Sequence, residues 1–180
     1  MPRIDESRKF IPVRIAVLTV SDSRGLEDDR SGEVLVGRIA EAGHILADRK
    51  ILPDERDQIA AQLRAWCECE DVDVIISTGG TGLTGRDVTV EAHRDVYEKE
   101  IEAFGIVFTH VSMQKIGTSA VQSRATGGVA KGTYLFALPG SPGACRDAWD
   151  EILKLQLDYR HMPCNFVEIM PRLDEHLRRK

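Results

Sequence analysis

The stretch of residues 74–89, VIISTGGTGLTGRDVT, constrains the fold more than any other part of the chain. A short apolar run leads into closely spaced glycines, which are followed by a cation and a carboxylate, Arg86 and Asp87. A buried strand that enters such a loop and continues as a helix presents bare backbone N–H groups to an anion. Glycine reaches positive φ at little cost and lets a phosphate approach the main chain. The stretch therefore predicts a phosphate-binding loop.

The composition limits the class of protein. With 180 residues, 42% of them apolar and 29% charged, the chain fits one domain that is neither disordered nor membrane-embedded. The net charge of -5, without a dense basic stripe, argues against a nucleic-acid binder. Because the N-terminus lacks an apolar signal core, we expect a cytoplasmic location with no membrane partner. Free thiols are then expected at Cys67, Cys69, Cys145 and Cys164.

The order of apolar patterns predicts a three-layer α/β/α Rossmann-like fold of the α/β class, with a mostly parallel central sheet. Buried strands are predicted at residues 13–20, 72–77 and 134–138, a weaker strand at 44–52, and a short strand or hairpin arm at 125–131. Helices are predicted at 32–42 (capped by Ser31), from the PDERD segment onward, at 89–104, within 106–123, and at 144–157. We expect a polar tail at 1–12, one domain at 13–171 and a charged tail at 172–180.

Four polar or glycine-rich loops follow the predicted strands, with the sequences SDSRG, PDE, TGGTG and PGSPG. In parallel α/β sheets the ligand crevice lies beyond the carboxyl ends of the strands. We therefore expect these loops to meet at one edge of the sheet. The glycine loop is not a Walker A motif, which would need a lysine before Ser or Thr.

Two aspartates, Asp54 in the PDE loop and Asp87 after the glycines, are candidate magnesium ligands. Each also has a plainer interpretation as a helix cap, since Asp is a favoured residue there. They come from neighbouring loops, however, and paired carboxylates beside a phosphate loop commonly hold Mg²⁺. Both interpretations stay open at this point.

The other loops also allow two interpretations. In PGSPG, Ser141 and Pro142 can begin a helix, or the backbone amides of Gly140 and Ser141 can bind a ligand. The pair Ser123 and Arg124 is either a solvated surface pair or a phosphate contact, because arginine suits bidentate binding of phosphate.

The segments TVSDSR, ILPDE, STGGTGLTGRDVT, SRATGGV and ALPGSPGACRDAW occur in an order and spacing that resemble the MoaB/MogA family of molybdenum cofactor biosynthesis. The resemblance covers nearly the whole chain and is greater for the MoaB branch. It implies a Rossmann-like fold and molybdopterin binding. The implied reaction is the Mg²⁺-dependent transfer of AMP from ATP to the terminal phosphate of molybdopterin, which gives adenylylated molybdopterin and pyrophosphate.

Carried over by position, the resemblance implies a set of site residues. Asp54 and Asp87 would be the catalytic and metal-binding pair. The nucleotide would be bound by Thr78, Gly79, Gly80, Thr81, Gly82, Gly140, Ser141 and Pro142. Molybdopterin would be bound by Asp22, Asp29, Ser31, Ser123 and Arg124.

The resemblance also implies a homo-oligomer, a trimer or a hexamer, and the molybdate-inserting enzyme of the pathway as a candidate partner. Some MoaB members lack the aspartate of the PDE loop and look inactive, whereas this chain has Asp54. A non-catalytic binding protein for molybdopterin or a nucleotide is the main alternative. Hydrolysis of a nucleotide or pyrophosphate is a weaker one.

Overall fold

The computed structural model describes residues 3–178. Its strands are β1 (Arg3–Ile4), β2 (Arg14–Val20), β3 (Ile45–Leu52), β4 (Val74–Thr78), β5 (Lys99–Glu100), β6 (Thr126–Ala130), β7 (Thr133–Leu138) and β8 (His161–Met162). Its α-helices are α1 (Arg30–Glu41), α2 (Arg56–Cys67), α3 (Thr89–Arg94), α4 (Glu102–Ile116), α5 (Pro142–Ala148), α6 (Lys154–Gln156), α7 (Phe166–Ile169) and α8 (Glu175–Arg178). A π-helical turn, Trp149–Leu153, joins α5 to α6.

The central sheet has six strands in the order β3-β2-β4-β7-β6-β5. The four strands from β3 to β7 run parallel, while β6 pairs antiparallel with β7 and β5 antiparallel with β6. This confirms the predicted mostly parallel sheet. It also confirms the hairpin arm, because β6 returns into β7 through Lys131 and Gly132, both at positive φ. The carboxyl ends of the parallel strands therefore lie together at one edge.

Helices cover both faces of the sheet, as the alternation of side chains along the strands requires. On β2, Ile15 and Val17 face a core with α1, α4 and α5. Ala16 and Leu18 face a second core, packed against α2 and α3. The three-layer α/β/α prediction is confirmed, and both tryptophans are buried in these cores.

The predicted helix at 89–104 is wrong in its second half. Helix α3 ends at Arg94, and the chain then pairs with the edge of the sheet: the N–H of Glu98 donates to the Val129 carbonyl, and that of Ile101 to the Gly127 carbonyl. Pairing with the sheet outweighs the helical pattern of the sequence. The predicted cap of α1 is also wrong, because Asp29, not Ser31, accepts from the N–H of Gly32.

The segments predicted as tails carry regular structure. Strand β1 pairs with β8, and the Arg8 guanidinium donates to the Tyr159 carbonyl at 2.9 Å. Near the other end, Glu175–Arg178 is helical, and Arg178 pairs with Asp174. Residues 1, 2, 179 and 180 of the predicted tails lie outside the described residues. Within residues 3–178, every helix is too short or too polar to cross a bilayer.

Candidate functional site

A cavity of about 360 Å³ opens at the carboxyl edge of the parallel strands. The four loops that were expected to converge all contribute to its wall. Its lining comprises Val20, Ser21, Arg24, Asp54, Gly79, Gly80, Thr81, Gly82, Asp87, Gln122, Ser123, Pro139, Gly140 and Ser141. The glycine loop and both candidate carboxylates thus share one open space.

The glycine loop needs glycine at its entry. Gly79 and Gly80 have φ of 97° and 63°, a region that side chains disfavour. A Cβ on Gly79 would lie 2.2 Å from the Val20 carbonyl oxygen, and one on Gly140 would lie 2.9 Å from the Cα of Gly79. The two loops therefore meet backbone to backbone.

Several backbone N–H groups at the cavity donate to no protein acceptor within residues 3–178: those of Gly80, Thr81, Gly140 and Ser141. Such amides are available to an anionic ligand. The loop hydroxyls are less free. Thr78 Oγ1 donates to the Pro139 carbonyl at 3.1 Å, and Thr84 Oγ1 donates to Asp87 at 2.6 Å. Thr78 therefore ties β4 to the PGSPG loop.

Asp87 is fixed by its own loop. Its Oδ2 accepts from the N–H and the hydroxyl of Thr84, at 2.8 and 2.6 Å. These hydrogen bonds hold the pKa of Asp87 below its usual range, and the one from the hydroxyl has the largest effect. Asp87 is not the cap of α3, since the cap position is Val88. The side chain is an ionised, oriented carboxylate beside Gly82.

Asp54 has the opposite environment. Burial, and then the charges of Asp22 and Asp87, raise the pKa of its carboxyl. It does not cap α2 either, because Glu55 occupies that position. No side chain among the described residues donates a hydrogen bond to its carboxylate, and the backbone N–H of Asp22 makes the smallest of the contributions that act on its pKa. The carboxylate therefore keeps the capacity to bind a ligand.

A buried hydroxyl lies next to Asp54. Thr89 is 0% exposed, and its Oγ1 has no hydrogen-bond partner within the described part of the chain. A Cβ on Gly80 would lie 2.4 Å from this oxygen and 2.6 Å from Asp54 Oδ1. Thr89 and Asp54 therefore crowd the same side of Gly80, and sequence reasoning missed Thr89.

An ion network forms the rim of the site. The Arg86 guanidinium donates to both oxygens of Asp22, at 2.9 and 3.0 Å, and to Glu55 at 3.0 Å. Asp22 also accepts from the N–H of Asp54 at 3.0 Å. The pKa of Asp22 is lowered, and its hydrogen bonds with Arg86 are the largest cause. Asp22 thus orients the PDE loop and does not line the cavity.

Five other predicted site residues do not line the cavity: Thr78, Asp29, Ser31, Pro142 and Arg124. Asp29 and Ser31 are fully buried; Asp29 accepts from Thr19 Oγ1 at 2.7 Å and pairs with Arg49. Pro142 is the first residue of α5 and Ser141 is its cap, so PGSPG begins a helix, which is one of the two interpretations of its sequence. The structure brings Ser123 to the wall of the cavity but not its neighbour Arg124.

A larger cavity, of about 550 Å³, lies at the opposite edge of the sheet. Its walls include Val13, Val72 and Thr133, which precede or begin parallel strands. Two ion pairs lie in its wall, Lys131 with Glu68 at 2.6 Å and Arg178 with Asp174. The four loops that follow the parallel strands and the pair Asp54 and Asp87 all belong to the smaller cavity, which is therefore the better candidate site.

Comparisons with known proteins identify the family of this chain. The pattern of the family described as "Probable molybdopterin binding domain" matches residues 16–159. The Molybdenum cofactor biosynthesis protein B of Escherichia coli K12 is 51% identical over 160 residues, which cover 89% of this chain and 94% of that protein. The chain belongs to the MoaB/MogA family of molybdenum cofactor biosynthesis proteins.

Solved structures of the MoaB/MogA family have the same fold. A crystal structure titled Molybdenum cofactor biosynthesis protein B superposes with a TM-score of 0.80 at 35% identity, covering 96% of this chain and 100% of that one. The tungsten cofactor synthesizing protein MoaB from Pyrococcus furiosus gives a TM-score of 0.75 at 29% identity, covering 91% of this chain and 98% of that one.

The donor atoms of this MoaB/MogA site fit a magnesium ion. Mg²⁺ prefers hard oxygen ligands and is usually held by one or two carboxylates, with waters and substrate phosphates filling the other positions. Asp54 offers a carboxylate that no side chain of the described residues bonds, beside the ionised Asp87. Among residues 3–178 there is no group of three or more His, Cys, Asp or Glu side chains suited to a metal. A two-carboxylate site therefore fits Mg²⁺ better than a structural zinc.

Proposed function

We propose that this protein transfers AMP from ATP to the terminal phosphate of molybdopterin, with Mg²⁺, releasing pyrophosphate. The observation that carries the proposal is the pair Asp54 and Asp87. Their carboxylates lie against Gly80 and Gly82 of one glycine loop, within one cavity. The names of its relatives, which are biosynthesis proteins of the molybdenum and tungsten cofactors, support the substrate class.

The residues of the cavity divide the work of such a reaction. The free N–H groups of Gly80 and Thr81 donate to phosphate oxygens, and those of Gly140 and Ser141 bind the nucleotide from the facing loop. Ser123, on the remaining wall, is the contact that we assign to molybdopterin. Holding two anionic reactants in line supplies much of the rate of such a transfer.

No general base is needed, because the attacking group is already a phosphate oxygen. Asp54 and Asp87 would hold the Mg²⁺. The bound ion would neutralise charge on the phosphates. Asp87 is prepared for this by the hydrogen bonds from Thr84, and Asp54 by a carboxylate that no side chain of residues 3–178 bonds. The carboxylates thus serve binding and orientation and transfer no proton.

The direct test is release of pyrophosphate from ATP by the purified protein, with and without molybdopterin and Mg²⁺. We expect release only when all three are present, together with adenylylated molybdopterin as the product. The alternative is a non-catalytic binding protein of the same pathway. Tight binding of molybdopterin or ATP by calorimetry, without pyrophosphate release, would favour that alternative.

We also propose that the protein is a homo-oligomer, and that α4 supplies a contact between copies. This helix is apolar around most of its circumference, whereas an amphipathic surface helix has one polar face. Phe104 and Phe108 are buried in the core of the same chain. Other apolar side chains of α4 face outward: Ile106, Val107, Met113 and Ile116. A second copy would cover such a face.

A further inference from the structure

Each nitrogen of the Arg124 guanidinium has a hydrogen-bond partner within the protein. Its Nε donates to the carbonyls of Thr81 and Gly82, at 3.1 and 2.9 Å. Its Nη2 donates to the carbonyl of Asp87 at 3.2 Å. Both Nη atoms also donate to the Glu91 carboxylate. These hydrogen bonds are the largest cause of the lowered pKa of Glu91. All three nitrogens of Arg124 therefore have partners, and all lie around the glycine loop.

Glu91 stands on a helix that is fixed to the sheet. In α3, the N–H of Thr89 donates to the Gly80 carbonyl at 2.9 Å. One turn on, the buried His93 bonds Ser77 of β4 at 2.8 Å and Tyr97 at 3.2 Å. The ion pair with Glu91 consequently links Arg124 to a rigid part of the fold.

The contacts of Arg124 decide how the loop amides point. In a planar trans peptide, the carbonyl and the following N–H point in opposite directions. When Arg124 holds the Thr81 and Gly82 carbonyls on its side, the N–H groups of Gly82 and Leu83 point away from it, and the N–H of Gly82 helps to hold Asp87 ionised. Arg124 therefore fixes the half of the loop that directly follows the free amides of Gly80 and Thr81. A loop of this glycine content has many other conformations available, and fixing one of them costs entropy.

We propose that Arg124 and Glu91 form a clamp that sets the glycine loop in its anion-binding conformation before any ligand arrives. Arg124 is then a positioning residue that acts through the loop, and it does not contact the phosphate of molybdopterin. This replaces the role that the family resemblance implied for Arg124. Its effect on turnover rests on the proposed function, whereas its effect on the loop does not.

Arginine and lysine distinguish the clamp from a simple charge. The clamp needs the planar fork of a guanidinium, which reaches several acceptors at once, and lysine has only a single ammonium group. A phosphate contact made by charge would survive Arg124→Lys to a large extent. The clamp would not survive it, and it would also weaken in Glu91→Gln, a variant that leaves the charge of Arg124 unchanged.

The test is amide hydrogen exchange of the ligand-free protein, followed by peptides that cover residues 79–87. We expect exchange there to accelerate at least ~10-fold in both Arg124→Lys and Glu91→Gln, because the loop opens more often. Arg94→Lys is the matched control. Arg94 pairs with Glu100 outside the cavity, at 2.9 Å, so its replacement should leave the exchange of the loop unchanged.

Activity gives a second measurement on the same variants. We expect Arg124→Lys and Glu91→Gln to lower kcat about 10-fold, on the scale of a misplaced transition-state donor. Unchanged loop exchange in both variants, with only the affinity for molybdopterin reduced in Arg124→Lys, would overturn the clamp and restore a direct ligand contact. If wild-type protein proves inactive, the proposed function fails, but the exchange measurement still decides the clamp. Should Arg124→Lys fold poorly, Glu91→Gln decides it alone.

Discussion

The carboxylates of Asp54 and Asp87 flank one glycine turn. A Cβ on Gly80 would lie 2.6 Å from Asp54 Oδ1, and a Cβ on Gly82 would lie 2.8 Å from Asp87 Oδ2. Hydrogen bonds from Thr84 keep the pKa of Asp87 low, while burial and neighbouring negative charge raise the pKa of Asp54. The folded protein thus holds unfavourable charge at Asp54, which a divalent cation would relieve.

Replacing Asp54 should lower the activity and raise the stability of the protein. We expect Asp54→Asn to lower the rate of pyrophosphate release at least ~100-fold, since a contact that stabilises the transition state is lost. At pH 7 without metal, the same change should raise the free energy of unfolding, because it removes a charge that burial and neighbouring carboxylates disfavour in the folded protein. Denaturant unfolding and the release assay measure the two effects. Asp57→Asn, in the exposed first turn of α2, is the control and should leave the activity unchanged. A fully active Asp54→Asn protein would refute the role of Asp54.

Replacing Asp87 should have a different outcome. Its carboxylate accepts two hydrogen bonds from Thr84, so Asp87→Ala removes the ligand and also loosens the loop. We expect at least ~100-fold lower activity together with a loss of about 1 kcal/mol of stability. Thr84→Val keeps the carboxylate and removes only the hydroxyl bond, and it should lower stability by less. Equal stability of Asp87→Ala and wild type in denaturant unfolding would contradict this account.

The glycines of the loop are not equivalent. A Cβ on Gly80, at φ of 63°, would meet Thr89 Oγ1 at 2.4 Å and Asp54 Oδ1 at 2.6 Å. Around Gly85 nothing lies within 4 Å of such an atom. We expect Gly80→Ala to abolish measurable activity and to cost about 1–3 kcal/mol of stability, whereas Gly85→Ala is neutral or slightly stabilising. Thermal unfolding and the release assay on this matched pair decide the point. Similar losses in both variants would contradict this account, because they would show that the close contacts around Gly80 are not the cause.

Much of this fold could be predicted from the sequence, because three of the four parallel strands, β2, β4 and β7, are largely apolar runs that end in glycine or polar loops. Strand β3 gives a weaker signal, since Asp48, Arg49 and Lys50 interrupt its apolar residues. The convergence of those loops follows from topology alone. Contacts between distant segments could not be predicted. No local pattern indicates that residues 98–101, which were predicted as helix, pair with β6 instead, or that Asp29 is buried and paired with Arg49. Arg124 likewise appears as a surface cation or a phosphate ligand until the loop carbonyls around it are seen.

The buried histidine of α3 should make stability depend on pH. Burial lowers the pKa of His93 to about 3, from an ordinary value of 6.5. Between these values the unfolded chain binds a proton that the folded protein does not bind, so stability falls as the pH drops below 6.5. The slope from one such group is at most ~1.4 kcal/mol per pH unit. His44, whose pKa is also lowered by burial, adds to the slope in the same direction.

The measurement is denaturant unfolding at several pH values between 6.5 and 5, where most carboxylates remain ionised. We expect His93→Gln to be less stable than wild type at pH 7, because it disturbs the bonds to Ser77 and Tyr97, and to lose part of the pH slope. His110→Gln, at an exposed position of α4, should keep the full slope. An unchanged slope in His93→Gln would show that His93 is not the group responsible.

The outward face of α4 predicts the oligomeric state. Ile106 is 69% exposed and Ile116 is 54% exposed, on a helix whose other side is already buried. We expect light scattering to give a mass for the wild-type protein that is a multiple of the 20.0 kDa of one chain. Ile106→Asp should shift that mass toward the monomer, because a charge in an apolar contact between copies costs several kcal/mol when unpaired. Leu177→Asp, on the exposed face of α8, is the matched control and should leave the mass unchanged, since α8 is not part of the proposed contact. A wild-type protein that is monomeric at micromolar concentration, or an Ile106→Asp variant that assembles as wild type does, would rule out this face as the contact between copies.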